Sequence, residues 1–111
     1  MELDYWSGTV YTTNRRVWEH DDKFKEHLRV LRCMAIDMET ATLFMTGFAN
    51  EIPTGALLLV SDQPMVPWGI KTSASDMKVT TSFVETHVRV GIASLREIIN
   101  GGMSVKHLRF E

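Results

Sequence analysis

The chain has 111 residues and a mass of 12.7 kDa, enough for one small hydrophobic core. With 44% hydrophobic and 23% charged residues, it has the composition of a globular protein, which excludes collagen-like, low-complexity and disordered classes. The net charge is −2 and no basic run is longer than the pair Arg15 and Arg16, which argues against a nucleic-acid partner. A single cysteine, Cys33, cannot form an internal disulfide.

Nothing in the sequence predicts a membrane partner. The opening residues, MELDYW, lack the basic segment and apolar core of a secretory signal. The most apolar stretch, residues 55–60, is far shorter than the roughly 20 residues that cross a bilayer. These two features predict a cytoplasmic protein.

The first half of the chain alternates between strand and helix patterns. Residues 9–13 are β-branched and aromatic, which predicts a strand. Asp21 and Asp22 can cap a helix whose apolar positions are Phe24, Leu28 and Leu31. Residues 33–36 form a short apolar run, which is typical of a buried strand. A second helix is predicted from residue 39 to about residue 50, with an apolar face made of Ala41, Phe44, Met45 and Phe48.

The second half begins with the most apolar run. Residues 56–60 predict a buried strand. Residues 61–75 contain Pro64, Pro67 and Gly69 and predict a long loop of the kind that often carries function. Asp76 is predicted to cap one long helix, which Gly101 and Gly102 end. Its apolar stripe consists of Val84, Val88, Ile92, Leu95 and Ile99.

Three strands that alternate with helices indicate an α/β fold. We expect a mostly parallel sheet with flanking helices and a long C-terminal helix. A sheet of three parallel strands has exposed edges and is a poor independent fold. The pattern therefore predicts that the chain is part of a larger domain or assembles with another chain.

Polar clusters follow all three predicted strands. They lie at residues 14–16, 37–39 and 61–64. Because ligands of open parallel sheets bind beyond the carboxyl ends of the strands, the three clusters are candidates for one cleft. Carboxylates and two cations on one rim suit a substrate with hydroxyls and a phosphate. The alternative is that the carboxylates cap the following helices, which accounts well for Asp37.

Four motifs follow one another along the chain: residues 11–19 (YTTNRRVWE), 35–42 (AIDMETAT), 55–64 (GALLLVSDQP) and 104–110 (SVKHLRF). In this order they resemble the AMP nucleosidase family. More distantly, the acidic residue followed by Met and Glu at residues 37–39, and the predicted strand that ends in Ser and Asp at residues 61–62, resemble the purine nucleoside phosphorylase superfamily. The resemblance covers essentially the whole chain and implies that residues 1–111 are the C-terminal half of a nucleoside phosphorylase-like α/β domain.

The resemblance assigns roles to four residues. Asp62 matches the general acid that protonates the purine leaving group, and a carboxylic acid can hold a proton near neutral pH where water is excluded. Glu39 matches the ligand of the ribose hydroxyls, where a carboxylate also stabilises the positive charge that develops on the sugar. Met38 matches a residue packed against the ribose, and Tyr11 matches an aromatic that stacks on the base. For Met38 and Tyr11 a plain packing role remains open.

Cations are also expected to bind the 5′-phosphate, and the candidates are Arg15, Arg16 and Lys71. The alternative is that these three residues are ordinary charged residues on the exposed surface. Asp37 and Ser61 complete the predicted substrate-binding set. Asp37 stands where many phosphorylases carry Glu, which is normal for the nucleosidase pattern. Trp68 departs from that pattern, because an acidic residue is expected after Pro67.

No cofactor or metal is predicted, since the helical histidines His20 and His27 lack a third ligand at a suitable spacing. The resemblance implies hydrolysis of AMP to adenine and ribose 5-phosphate by a longer, homo-oligomeric enzyme. Two alternatives stay open. One is a non-catalytic fragment that acts only in assembly, and the other is a related nucleoside phosphorylase or nucleosidase.

Overall fold

The computed structural model describes residues 5–101, which fall into two compact units, the first ending at Leu43 and the second beginning at Phe44. The terminal motif at residues 104–110 lies outside the described residues. The α/β class with a parallel sheet, flanking helices and a long last helix is confirmed. The elements in chain order are β1 (Thr9–Thr12), α1 (Asp22–Val30), β2 (Cys33–Asp37), α2 (Thr40–Ala49), α3 (Ser73–Ser82) and α4 (Val84–Gly101).

The sheet of the first unit consists of β1 and β2, which pair in parallel. Tyr11 lies opposite Ile36 and Thr12 opposite Asp37, with an irregularity between Thr9 and Val10. The ladder continues one residue past β1, where the Thr13 N–H donates to the Asp37 carbonyl at 2.9 Å. The carboxyl ends of both strands therefore meet at one edge, as predicted for residues 14–16 and 37–39.

α1 begins as the sequence predicts, because Asp21 is its N-cap. The Asp21 carboxylate accepts a hydrogen bond from the Phe24 N–H at 3.0 Å. Of the three apolar positions expected on this helix, Leu28 is buried, with 4% of its surface exposed, and Trp18, with 7% exposed, is buried in the same unit. Leu31 is exposed because it lies past the end of α1, where it serves as the C-cap.

The predicted third strand is wrong. Residues 56–60 carry no strand in the structure, and within residues 5–101 the sheet has two strands rather than three. Leu57, Leu58 and Val60 are exposed rather than buried. An apolar run becomes a strand only when a neighbour completes its backbone hydrogen bonds, and no strand among the described residues pairs with this run.

The prediction of a single long helix capped by Asp76 is also wrong. Thr72 caps α3, because its hydroxyl accepts from the Ser75 N–H at 3.1 Å while the Ser75 hydroxyl accepts from the Thr72 N–H at 2.9 Å. This capping box moves the start of the helix to Ser73 and shortens the predicted loop. The helix breaks at Phe83, whose backbone angles, φ −126° and ψ −24°, are not helical.

The apolar faces predicted for two helices are not buried. In α2, Phe44, Met45 and Phe48 are all exposed. In α4, the five positions of the predicted stripe lie on one face but every one of them is exposed. The helical period was therefore predicted correctly, whereas the burial of these two faces was not.

Candidate active site

An open groove of about 530 Å³ lies at the carboxyl end of the sheet in the first unit. Its lining combines hydroxyl, amide, guanidinium, aromatic and thioether groups, which suits a ligand with polar and apolar parts. The groove lies where the strand order predicts a ligand, beyond the ends of β1 and β2. Its lining residues are Tyr11, Thr12, Thr13, Asn14, Arg15, Phe24, Met38 and Thr42.

The aromatic wall of this groove is built by edge-to-face contacts. The ring centroid of Tyr11 lies 5.5 Å from that of Phe24 with the two planes at 81°, and 6.2 Å from that of His27. On its other side Phe24 contacts the buried Trp18, with centroids 5.9 Å apart. These contacts hold the half-buried Tyr11 ring in one orientation at the groove.

Of the two neighbouring arginines, Arg15 lines the groove. Its guanidinium lies 5.0 Å from the centre of the Phe24 ring and its Nη2 lies 2.7 Å from an Asp21 carboxylate oxygen. The pKa of Asp21 is lowered by the hydrogen bond that its carboxylate accepts from the Phe24 N–H and by Arg15. Arg16 is exposed and makes no hydrogen bond or ion pair with any residue between 5 and 101. Arg15 is thus held in place, whereas Arg16 is held by nothing in this part of the chain.

Asp37 is tied into the junction of β2 and α2. Its side chain accepts a hydrogen bond from the Thr12 hydroxyl at 2.8 Å, from the Thr40 N–H at 3.0 Å and from the Thr40 hydroxyl. Burial alone would raise the pKa of Asp37, but the hydrogen bonds from Thr40 and Thr12 outweigh it and lower the pKa. The capping alternative for Asp37 therefore describes its geometry, and contact with a substrate stays a prediction.

Met38 and Glu39 lie between the end of β2 and the beginning of α2. Met38 is partly exposed and lines the groove. Glu39 is exposed, and its Oε2 accepts a hydrogen bond from the Met38 N–H at 3.2 Å. The Glu39 side chain is not part of the groove lining, so its role as a ribose ligand stays a prediction.

In the second unit, Ser61 and Asp62 begin a closed turn that ends at Lys71. Asp62 is half-buried; one carboxylate oxygen accepts from the Ser61 hydroxyl at 2.6 Å and the other from the Lys71 N–H at 3.2 Å. Between these residues the Gln63 N–H donates to the Gly69 carbonyl at 2.9 Å, which closes the turn. Asp62 is therefore fixed by its immediate neighbours, and its role as general acid stays a prediction.

Lys71 is already paired. Its ammonium lies 2.9 Å from an Asp76 carboxylate oxygen in the first turn of α3. The pKa of Lys71 is raised, chiefly by this hydrogen bond and further by the charges of Asp76 and Asp62. A phosphate bound by Lys71 would have to compete with Asp76.

The structure brings Tyr11, Arg15 and Met38 together in one groove, although they lie up to 27 positions apart in sequence. Within the second unit, Ser61, Asp62 and Lys71 form a cluster of their own. Sequence reasoning missed four groove residues, namely Thr12, Thr13, Phe24 and Thr42. Asn14 belongs to the polar cluster predicted at residues 14–16, whereas Phe24 is predicted on the core face of α1.

The described residues contain neither a cluster of metal ligands nor a membrane-spanning helix. Within residues 5–101 no group of three or more His, Cys, Asp or Glu side chains is arranged to hold a metal ion. No helix in that range combines the length and the apolar character needed to cross a membrane.

Comparison with known families defines the class. The Phosphorylase superfamily model matches residues 1–99, which include both strands, the groove and the Asp62 turn. The chain belongs to the Phosphorylase superfamily.

Among individual proteins, the chain is similar to two proteins that carry the name AMP nucleosidase. They come from Escherichia coli strain K12 and from Escherichia coli O157:H7, and each is 33% identical to it over 90 residues. The alignment covers 80% of this chain but 18% of each relative, so the chain spans about a fifth of their length. No solved structure matches the chain significantly.

Proposed function

We propose that this chain supplies part of the active site of an enzyme that hydrolyses the N-glycosidic bond of AMP. The observation that carries the proposal is the groove of the first unit. It unites three residues, Tyr11, Arg15 and Met38, that the sequence nominated separately for base, phosphate and ribose. The similarity to the two AMP nucleosidases supports AMP as the substrate.

In the proposed reaction the bond between ribose C1′ and purine N9 breaks, and its electron pair leaves with adenine. Asp62 donates a proton to N7, so that the base departs as a neutral molecule. Glu39 accepts the ribose hydroxyls and stabilises the positive charge that develops on the sugar ring. Water then adds to C1′ and loses a proton to solvent, which gives ribose 5-phosphate.

The remaining predicted residues act in binding. Met38 contacts the apolar side of the ribose, and Tyr11 presents its ring to the base. Arg15, Arg16 and Lys71 supply positive charge to the 5′-phosphate. Asp37 and Ser61 support these groups, since Asp37 fixes the start of α2 and the Ser61 hydroxyl donates to Asp62. The enzyme is proposed to be a cytoplasmic homo-oligomer that needs no cofactor and has no nucleic-acid or membrane partner.

The non-catalytic alternative has one observation in its favour. The apolar stripe of α4 is exposed at Val84, Val88, Ile92, Leu95 and Ile99, which is unusual for a helix that does not contact another surface. In this reading the chain contributes to assembly and to no chemistry.

Product analysis with the full-length protein separates the possibilities. We expect adenine and ribose 5-phosphate from AMP without added phosphate, and slower cleavage of adenosine. Cleavage that favours adenosine and depends on inorganic phosphate would establish the phosphorylase alternative instead. If a folded protein releases no base from either compound, the assembly role is correct and the hydrolase proposal is wrong.

A further inference from the structure

Trp68 has an unusual conformation for a large apolar residue. Its side chain is fully exposed, with a relative exposure of 101%, and its backbone φ is 63°. A non-glycine residue in this left-handed region is uncommon and costs free energy. An indole held in water by an unfavourable backbone conformation is therefore a candidate for a functional group.

The turn that carries Trp68 is tightly closed. The Gln63 N–H donates to the Gly69 carbonyl at 2.9 Å, the Val66 N–H to the Gln63 carbonyl at 3.1 Å and the Gly69 N–H to the Val66 carbonyl at 3.2 Å. A Cβ atom at Gly69 would lie 1.8 Å from the Gln63 carbonyl oxygen, so glycine is required at the residue after Trp68. The exposure of Trp68 is thus a consequence of a defined backbone.

The same turn carries the predicted general acid. Asp62 directly precedes Gln63, and its carboxylate accepts from the Lys71 N–H at 3.2 Å on the opposite limb. Asp62 and Trp68 therefore flank the same closing hydrogen bond between Gln63 and Gly69. A ligand whose leaving group reaches Asp62 lies next to the turn that presents the indole.

We propose that Trp68 is a specificity-determining residue that stacks on the purine ring of the substrate. The inference rests on the proposed function, in which Asp62 protonates that ring. A purine offers a flat π-face, and stacking removes the indole and the base from water together. The resemblance described above leads to an acidic residue at this position, and a carboxylate offers no such face. Trp68 therefore gives this chain a base contact that an acidic residue at the same position could not make.

The experiment compares three variants of the full-length protein, Trp68→Ala, Trp68→Phe and Trp6→Ala. Trp6 is a matched control, because it is a second exposed tryptophan, with 85% of its surface accessible. Equilibrium binding is measured with adenine, with AMP and with ribose 5-phosphate, which lacks the base. Tryptophan fluorescence is recorded in the same titrations.

We expect Trp68→Ala to weaken adenine and AMP binding about 5- to 150-fold, the range for one aromatic stacked on one base. Ribose 5-phosphate binding should be unchanged, Trp68→Phe should restore most of the affinity, and Trp6→Ala should behave as the wild type. Adenine should quench the wild-type fluorescence, and Trp68→Ala should remove that quenching.

Two results would overturn the inference. One is equal adenine affinity in Trp68→Ala and Trp6→Ala. The other is an equal loss of affinity for adenine and ribose 5-phosphate, which would indicate a structural role. If Trp68→Ala bound adenine as tightly as Trp6→Ala but lost self-association, the inference would be wrong and the indole would be assigned to a protein contact. Because binding needs no turnover, adenine stacking without AMP cleavage would refute the proposed function and leave this inference standing.

Discussion

Two apolar runs of this chain end close to an aspartate, and the two aspartates have different surroundings. Asp37 ends β2, which pairs with β1, and it accepts hydrogen bonds from Thr12 on one segment and Thr40 on another. Asp62 follows residues 56–60, which have no strand partner among the described residues, and it accepts from Ser61 and Lys71 within its own turn.

The difference shows that one sequence pattern can lead to two roles. Because its donors come from β1 and α2, Asp37 holds elements of the fold together, and most of its hydrogen-bonding capacity is used. Asp62 holds a turn of ten residues and nothing more distant among its described contacts. A carboxylate whose hydrogen bonds stay within its own turn is the better candidate for chemistry.

The largest expected effect comes from Asp62→Asn, which keeps the size of the side chain but removes the transferable proton. We expect kcat for AMP to fall by about 10²–10⁴ with little change in KM, because a general acid acts in the transition state. The exposed Asp22→Asn is the control and should retain full activity. Steady-state assays of adenine release measure both.

A substrate whose leaving group needs no N7 protonation makes this test sharper. It should recover much of the activity that Asp62→Asn loses. If Asp62→Asn mainly unfolds the protein, or if the second substrate suffers equally, Asp62 belongs with Asp37 as a structural residue and the contrast between them disappears.

Glu39→Gln is expected to have the next largest effect. Replacing a carboxylate that binds two sugar hydroxyls should lower kcat/KM about 10- to 100-fold, the range for hydrogen bonds to a charged group. The loss should appear in both KM and kcat, since the ribose is bound in the ground state and more tightly in the transition state. Glu26→Gln, on the exposed surface of α1, is the control. A change confined to kcat would contradict the ribose assignment.

Asp37→Ala tests the structural half of the comparison. Removing the acceptor of the Thr12 and Thr40 donors should lower the free energy of unfolding by about 1–3 kcal/mol, as for other lost caps and buried hydrogen bonds. Asp62→Ala should cost less than about 1 kcal/mol, because its partners are local and partly exposed. Urea denaturation monitored by circular dichroism compares the two. Equal losses would show that both carboxylates support the fold.

The smallest expected effect is a dependence of stability on pH. Since the pKa of Asp37 is lower in the folded chain than in the unfolded chain, Asp37 stabilises the fold above its ordinary range near pH 4. That contribution should disappear as the pH falls through the lowered value. Asp37→Ala should therefore have a flatter stability curve below about pH 4 than the wild type. Parallel curves for the two proteins would show that other carboxylates account for the acid dependence.

Sequence reasoning succeeded where local chemistry decides the structure. The β-branched run at residues 9–13, the Asp21 cap and the polar residues at the strand ends are local signals, and they predicted β1, α1 and the groove edge. The prediction of a strand at residues 56–60 failed because a strand depends on a partner strand, which the apolar run itself does not encode.

The site was predictable in part for the same reason. Tyr11, Arg15 and Met38 could be nominated from strand ends and from motif resemblance, and they meet in one groove. The Arg15 contacts with Asp21 and Phe24 could not be predicted, because they depend on the angle at which α1 follows β1. The break at Phe83 was missed because no glycine or proline interrupts the helical pattern around it.

The Thr12 hydroxyl links two kinds of secondary structure through a single oxygen atom. It donates to the Asp37 carboxylate and accepts from the Ala41 N–H at 2.9 Å, so the end of β1 and the first turn of α2 share one hydrogen-bonded chain. The Ala41 amide can exchange with solvent deuterium only when this chain opens. Its exchange rate should therefore follow that of the Thr13 amide, which bonds to the Asp37 carbonyl, and the end of the sheet and the beginning of α2 should open as one cooperative unit.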